Sequence, residues 1–192
     1  VLFRSTGVQV VASDNEITAI AVVTPEGTKP LEILLPQKFI EILKQLNADT
    51  LRITADAVSL QLTSGGGRWK LATANPQDYP VWASPANAAG LTLDHVELSD
   101  ALQGVAFCCD NQSTRYALGA VRLEYDADNV LMVIATDGRR LASRAVVAGI
   151  EHATQIAALI PSKAVKAIRS MAAVGRVMLQ ADDRNVYVTD RA

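Results

Sequence analysis

Short apolar segments that alternate with polar residues dominate the pattern of this chain. Residues 58–62 alternate, Ser64–Gly67 carry a turn signal and residues 69–72 return, so this region predicts a β-hairpin. Apolar residues at helical spacing occur in three segments, which begin after Pro36, Asp94 and Pro161. The pattern therefore predicts an α+β protein in which antiparallel strands form sheets and a few helices cover one face.

The same order of signals occurs twice along the chain. Asp14 and Asp137, 123 residues apart, each stand between two strand-like segments. Pro36 and Pro161, 125 residues apart, each suit the first position of a helix, where no N–H is needed. Apolar residues then recur at equal offsets, at Phe39, Ile40, Leu43 and Leu46 and at Ala164, Val165, Ile168 and Met171. The repeat predicts two homologous domains of about 125 residues, the first cut short at its start and the second at its end.

The second copy contains a further helix. Asp94 and Glu97 have the spacing of a capping box, which satisfies N–H groups at a helix start. Leu98, Leu102 and Val105 give this helix one apolar face. Further strands are predicted at residues 51–54, 91–93, 120–125, 130–135, 177–180 and 186–189.

A proline-rich stretch predicts the boundary between the two copies. Pro76, Pro80 and Pro85, with residues 83–90, have the composition of a linker. We predict a first domain at residues 6–86 and a second at residues 87–192. Residues 1–5, VLFRS, match a peptide encoded by a sequencing-adapter end, and we set them aside as a translated adapter; an ordinary strand start is the alternative.

Composition indicates a folded protein of 192 residues with a formal net charge of −2. About half of the residues (49%) are apolar and 20% are charged, which excludes a disordered chain. No apolar run reaches the roughly 18 residues of a membrane span, and no signal pattern opens the chain, so we expect a cytoplasmic protein. The mild acidity argues against a wholly basic nucleic-acid binder and leaves room for a locally basic face.

Metal and phosphate sites are poorly supported. His95 and His152 stand in no metal-binding spacing and are predicted to lie on the surface. The adjacent Cys108 and Cys109 are predicted to pack in the core. Ser64–Arg68 is rich in glycine, but it joins two strands and lacks the Gly-Lys-Ser/Thr ending of a phosphate loop. We expect no metal and no cofactor.

Positive charge is concentrated on one predicted helix. Lys163, Lys166 and Arg169 lie on the flank away from its apolar stripe, whereas Lys38 and Lys44 of the earlier helix are diluted by Glu41. Such a flank can contact a phosphate backbone without reading sequence, and an ordinary solvated face is equally compatible with the charge pattern.

The segment 135–142 carries the densest local signal. Asp137 and Gly138 are turn residues, and Arg139, Arg140 and Leu141 would stand at the corner between two strands. A tight turn alone would also explain the segment. A phosphatase-type role for Asp137 would need a second Asp two residues away, which is missing, so no catalytic residue is expected.

Three segments together resemble the bacterial DNA polymerase III β-subunit family, the sliding clamps. They are residues 113–121 (STRYALGAV), 135–142 (ATDGRRLA) and 160–165 (IPSKAV). Their family equivalents read roughly RYxLNGV, ATDGHRLA and IPRKAV, in this order and at similar spacing. Residues 67–71 and 78–80 are similar to the family's hairpin and linker, so the resemblance covers residues 6–192.

This resemblance implies the DNA clamp fold and a non-catalytic role. Family subunits have three copies of one domain, and two subunits close head to tail into a homodimeric ring with sheets outside and helices around double-stranded DNA. The ring binds DNA independently of sequence and acts as a processivity factor. A pocket on the second domain, completed by the third, takes short apolar peptides from the DNA polymerase III alpha subunit, the clamp loader and repair proteins.

Matching motifs carry the family's functional positions onto this sequence. The implied peptide-binding residues are Arg115, Leu118, Thr136, Gly138, Arg139, Arg140 and Leu141. The implied DNA-binding residues are Gln112 and Tyr116, with Lys163, Lys166 and Arg169 as weaker candidates.

Two departures and one truncation qualify this interpretation. Arg139 stands where the family commonly has His, and Gly119 replaces the usual Asn. The third domain is absent, so we expect no closed ring and an incomplete pocket. The alternatives are a small hydrolase or phosphotransferase that uses Asp137 and a clamp-fold scaffold without a DNA role.

Overall fold

The chain folds as two units, Val1–Trp82 and Ala83–Ala192. A computed structural model describes residues 2–4, 8–23, 32–47, 50–56, 58–79, 90–125, 129–151, 155–173 and 175–190. The proposed boundary after residue 86, with Pro80 and Pro85, lies outside the described residues and stays a prediction. The adapter origin of residues 1–5 also stays a prediction, although residues 2–4 form a strand of the first unit.

The first unit contains two antiparallel sheets and one helix. Its elements are β1 Leu2–Arg4, β2 Val8–Ser13, β3 Thr18–Val23, β4 Ile33–Leu34, α1 Lys38–Gln45, β5 Arg52–Ala55, β6 Ser59–Ser64 and β7 Gly67–Ala72. The sheets have the orders β3-β2-β1-β4 and β5-β6-β7. Phe39 and Ile42 of α1 pack with Leu60 and Leu62 of β6 in the core.

The second unit contains two four-stranded sheets and two helices. Its elements are β8 Gly90–Asp94, α2 His95–Ala106, β9 Ala120–Tyr125, β10 Val130–Thr136, β11 Leu141–Val147, β12 Gly149–Glu151, β13 Ile156–Pro161, α3 Ser162–Arg169, β14 Arg176–Ala181 and β15 Val186–Asp190. The sheets have the orders β11-β10-β9-β13 and β12-β8-β14-β15. Leu98, Leu102 and Val105 of α2 are fully buried, as their spacing predicts. The Asp94 side chain caps α2 by accepting from the N–H groups of Val96 and Glu97.

Both units order their strands in the same way. β3-β2-β1-β4 corresponds to β11-β10-β9-β13, and each set is followed by a short helix and a hairpin, β5–β6 or β14–β15. The observed topology agrees with the repeat in the sequence and with the predicted α+β class.

Four hairpin turns in the described part open with the same side-chain device. The Oδ1 atoms of Asp14, Asp56, Asp137 and Asp182 each accept from the backbone N–H groups two and three residues ahead, at 2.7–3.1 Å. A carboxylate that satisfies two turn N–H groups explains why Asp recurs at equivalent positions of the two units.

The proline positions and the helix α1 differ from the prediction. Pro161 is the N-cap of α3 rather than its first residue, because it still pairs with Ala120 in the β13–β9 ladder. Pro36 precedes the N-cap Gln37 of α1. Ile40 and Leu43, predicted for the apolar face of α1, are more than one-third exposed, whereas Ile42 is buried.

The surface prediction for His95 is wrong. His95 is only 7% exposed, and its Nε2 lies 2.9 Å from the carbonyl oxygen of Ile168, so it donates from the start of α2 to the end of α3. His152 lies outside the described residues. Cys108 is buried and Cys109 half-buried, both as free thiols, which confirms core packing. Burial, followed by the neighbouring Cys108, raises the pKa of Cys109.

Candidate functional site

The corner between β10 and β11 is held by hydrogen bonds within its own turn. Asp137 Oδ1 accepts from the N–H groups of Arg139 and Arg140, at 2.9 Å each. Thr136 Oγ1 donates to the Arg140 carbonyl at 2.7 Å and accepts from the Gly138 N–H at 3.0 Å. Gly138 has a φ of 85°, a conformation that glycine adopts without strain. The turn therefore presents Arg139, Arg140 and Leu141 on a defined backbone.

Arg140 links this corner to the end of α2. Its Nε donates to Asp137 Oδ2 at 2.8 Å, and its Nη2 donates to the Phe107 carbonyl at 3.3 Å. The guanidinium carbon lies 5.6 Å from the centre of the Phe107 ring, which is within cation–π range. Backbone N–H groups of Arg140 and Arg139, with a smaller contribution from the Arg140 guanidinium, lower the pKa of Asp137 to about 2.

The predicted residues Arg115 and Leu118 lie in a second segment that follows α2. Leu118 belongs to a short 3-10 helix, Tyr116–Gly119, and its N–H donates to the Arg115 carbonyl at 3.0 Å. Its carbonyl accepts from the Asp110 N–H at 2.7 Å. Leu118 is half-buried, whereas Leu141 is 66% exposed. The hairpin corner and the 3-10 helix are thus both bonded to residues 107–110, at the end of α2.

The predicted DNA-binding residues lie on α3 and on the loop before the 3-10 helix. Lys163, Lys166 and Arg169 are exposed, while Val165 and Ile168 of the same helix are buried. The Ser162 hydroxyl at the start of α3 donates to Asn111 Oδ1, which stands beside the exposed Gln112. Tyr116 is also exposed. The structure therefore brings the Gln112 loop and the first turn of α3 together.

Phe107 and Asp110 are site residues that the sequence analysis missed. Phe107 is 61% exposed directly after α2. An aromatic residue outside the 98–102–105 stripe was a signal that could have identified it. Asp110 also accepts from the Gln112 N–H at 3.0 Å, and nothing in the sequence distinguishes it from an ordinary loop Asp.

Within the described ranges, no group of three or more His, Cys, Asp or Glu side chains is arranged to hold a metal ion. None of the helices described has the length and apolar character that a bilayer span requires.

Comparison with known proteins identifies the family of both units. Residues 2–83 match the DNA polymerase III beta subunit, N-terminal domain, and residues 92–191 match the central domain of the same subunit. The beta sliding clamp of Chlamydia muridarum is 27% identical over 163 residues, which is 84% of this chain and 44% of that protein. The beta sliding clamp of Vibrio cholerae is 30% identical over 157 residues, covering 80% of this chain and 42% of that protein.

Solved structures show the same fold. The DNA polymerase III subunit beta of Pseudomonas aeruginosa superimposes with a TM-score of 0.86 at 24% identity, over 98% of this chain and 53% of that one. The beta subunit of Thermotoga maritima gives 0.85 at 19% identity, over 98% and 52% of the two chains. The predicted clamp fold is confirmed.

The chain spans less than half the length of the curated relatives just described. Its two units nevertheless match two successive domains of one subunit, in the right order and almost end to end. The chain belongs to the DNA polymerase III beta subunit family, the bacterial sliding clamps.

Proposed function

We propose that this chain is part of a ring that encircles duplex DNA and tethers the replicative DNA polymerase III. Sliding clamps are non-catalytic processivity factors, and the proposal extends that role to this sequence, as a homodimer in the cytoplasm and a subunit of the polymerase complex. A ring that stays on DNA keeps a bound polymerase at high effective concentration near its template, so no sequence-specific contact is needed.

One observation carries the partner-binding half of the proposal. The hairpin corner with Leu141 and the 3-10 helix with Leu118 are both bonded to the end of α2, so two distant motifs belong to one surface. Exposed Leu141 and half-buried Leu118 supply apolar contacts, and Arg115 and Arg139 supply positive charge. This combination suits a short apolar peptide from the alpha subunit, the clamp loader or a repair protein.

The DNA-binding half rests on the charge of α3. Three exposed cations lie on a helix that contains no acidic residue and whose opposite side is buried. Contacts of this kind neutralise phosphates and read no bases, which is what a sliding ring requires.

Fluorescence anisotropy of a labelled Gln-Leu-x-Leu-Phe peptide tests the partner surface. Titration with this chain should give saturable binding, and Leu141→Asp should abolish it, because a charge then replaces an exposed apolar contact. Val147→Asp is the matched control, since Val147 is equally exposed on the same strand β11. Saturable binding that survives Leu141→Asp, or that Val147→Asp abolishes equally, would contradict the assignment.

A clamp-fold scaffold without a DNA role remains the second candidate. Replacing Lys163, Lys166 and Arg169 by Gln should weaken association with duplex DNA and flatten its salt dependence by up to about 0.9 per phosphate contact. Arg176→Gln with Arg184→Gln removes exposed charges elsewhere in the same unit and should change neither quantity. Unchanged binding in the triple variant would favour the scaffold.

The hydrolase alternative receives no support from the Asp137 geometry. Both carboxylate oxygens are engaged, Oδ1 by two turn N–H groups and Oδ2 by Arg140. A carboxylate bound in this way, with a pKa of about 2, is a poor nucleophile and a poor base. Turnover by the wild type that Asp137→Asn abolishes would reverse this conclusion.

A further inference from the structure

Two adjacent arginines in the β10–β11 turn have opposite surroundings. Arg140 has three side-chain interactions, with Asp137 Oδ2, the Phe107 carbonyl and the Phe107 ring. The Arg139 guanidinium has no hydrogen bond or ion pair to any residue that the structure describes, and only its backbone N–H is bonded. One guanidinium is therefore held in a single orientation, and its neighbour is left to rotate.

The contacts of Arg140 use one edge of its guanidinium. A guanidinium has five N–H donors in a planar fork. Nε and one N–H of Nη2 are engaged, so three donors have no partner in the described part of the chain. The side chain is 61% exposed, so these donors are open to a ligand.

An oriented guanidinium binds an acceptor at a lower entropic cost than a mobile one. Ordering a long side chain on binding opposes association, and this cost is avoided when the side chain is already held. Asp137 is suited to the task because its Oδ1 is bound to the turn itself, which orients the carboxylate that receives Arg140. Phe107 contributes from the other side, and its exposed ring adds an apolar surface next to the guanidinium.

We propose that Asp137 and Phe107 are positioning residues of the peptide surface, which hold Arg140 as a ready donor for carbonyl or carboxylate oxygens of the bound peptide. The inference rests on the proposed function, since it concerns the same surface. It adds two residues that act through Arg140, and it makes Arg140, rather than Arg139, the cation that orients the ligand.

A double-mutant cycle on peptide binding tests this coupling. Asp137→Asn keeps an oxygen for the turn N–H groups and removes the charge from Arg140, so the turn stays capped. It should raise the Kd of the Gln-Leu-x-Leu-Phe peptide about tenfold, and Arg140→Lys, which loses the fork, should do the same. Because both variants remove one device, the double variant should bind no more than about twofold worse than Arg140→Lys alone.

A loss of orientation can also be measured without a ligand. The Nε–H of Arg140 should show restricted motion in ¹⁵N relaxation of the free protein, and Arg139 should be mobile as the internal reference. Asp137→Asn should make the two alike, and Phe107→Leu should have a smaller effect in the same direction. Asp182→Asn is the matched control, since Asp182 caps the same kind of turn and bonds Tyr187 instead of an arginine.

Each outcome has a defined meaning. Additive losses in the cycle, or an unchanged Kd in Asp137→Asn, would overturn the positioning role while the peptide surface itself stands. Equal mobility of the two arginines in the wild type would do the same. A wild type that binds no peptide would instead overturn the proposed function, and this inference with it.

Discussion

The hairpins around Asp14 and Asp137 occupy equivalent places in the two units and share one backbone. In both, the Asp Oδ1 accepts from two turn N–H groups, and the hydroxyl of the preceding residue, Ser13 or Thr136, accepts from the N–H of the residue after the Asp. That following residue is left-handed in both, with φ of 72° at Asn15 and 85° at Gly138. The conserved geometry is a scaffold.

The two turns differ in the residues that the scaffold displays. The first presents Glu16 and Ile17, whereas the second presents Arg139 and Arg140. Only the second has a neighbouring helix end whose carbonyl and ring receive an arginine. Duplication thus supplied one turn twice, and the chemistry that we assign to partner binding resides in two side chains and their setting.

Exchanging the displayed residues should have the largest effect. Replacing residues 138–140 by Asn-Glu-Ile gives the second turn the sequence of the first. Peptide affinity should fall about a hundredfold, because hydrogen bonds from a charged group contribute about 1.5–3 kcal/mol each. Anisotropy measures the loss, and unchanged circular dichroism would show that the scaffold survives. Full affinity in this variant would mean that the arginines do not define the site.

The left-handed position should be the next most sensitive. Gly138→Ala should cost about 1–2 kcal/mol in the free energy of unfolding, the usual penalty for a Cβ in this conformation. No atom lies within 4 Å of the added Cβ, so the cost is conformational rather than steric. Asn15→Ala should cost less, since Asn15 already has a Cβ. Urea unfolding measures both, and an equal loss at the two sites would contradict the shared geometry.

Hydroxyl removal should have a smaller effect that differs between the turns. Thr136→Val removes two hydrogen bonds within the turn, to Gly138 and Arg140, and should cost about 1 kcal/mol of unfolding free energy. Ser13→Ala removes the corresponding bond from Asn15 and should cost about half as much, because Ser13 is at a more exposed corner. Thermal or urea unfolding of the two variants provides the comparison.

Acid should reveal the cap at Asp137 with the smallest effect. Its pKa falls from 3.8 to about 2 on folding, so its contribution to stability is complete above pH 4 and is lost as the pH falls toward 2. Asp137→Asn should therefore reduce the loss of stability of the second unit between pH 4 and 2. Unfolding measured across this range checks the sign, and identical profiles would contradict the low pKa.

Local patterns in the sequence were sufficient for much of the fold. The β6–β7 hairpin, the cap at Asp94 and the buried stripe of α2 follow from turn chemistry, capping and periodicity, which depend on neighbours along the chain. The family motifs likewise located the turn at 137–140, because its hydrogen bonds close within the turn itself.

Tertiary structure decided what lies between elements. His95 is buried because the end of α3 supplies an acceptor for it, and Ile40 of α1 is exposed although its spacing is apolar. Phe107 and Asp110 join two motifs separated in sequence through backbone carbonyls and N–H groups that no side-chain pattern encodes. The sequence by itself determined the repeated scaffold and the residues on it, and only packing determined which of those residues meet, because such contacts depend on surfaces contributed by another part of the chain.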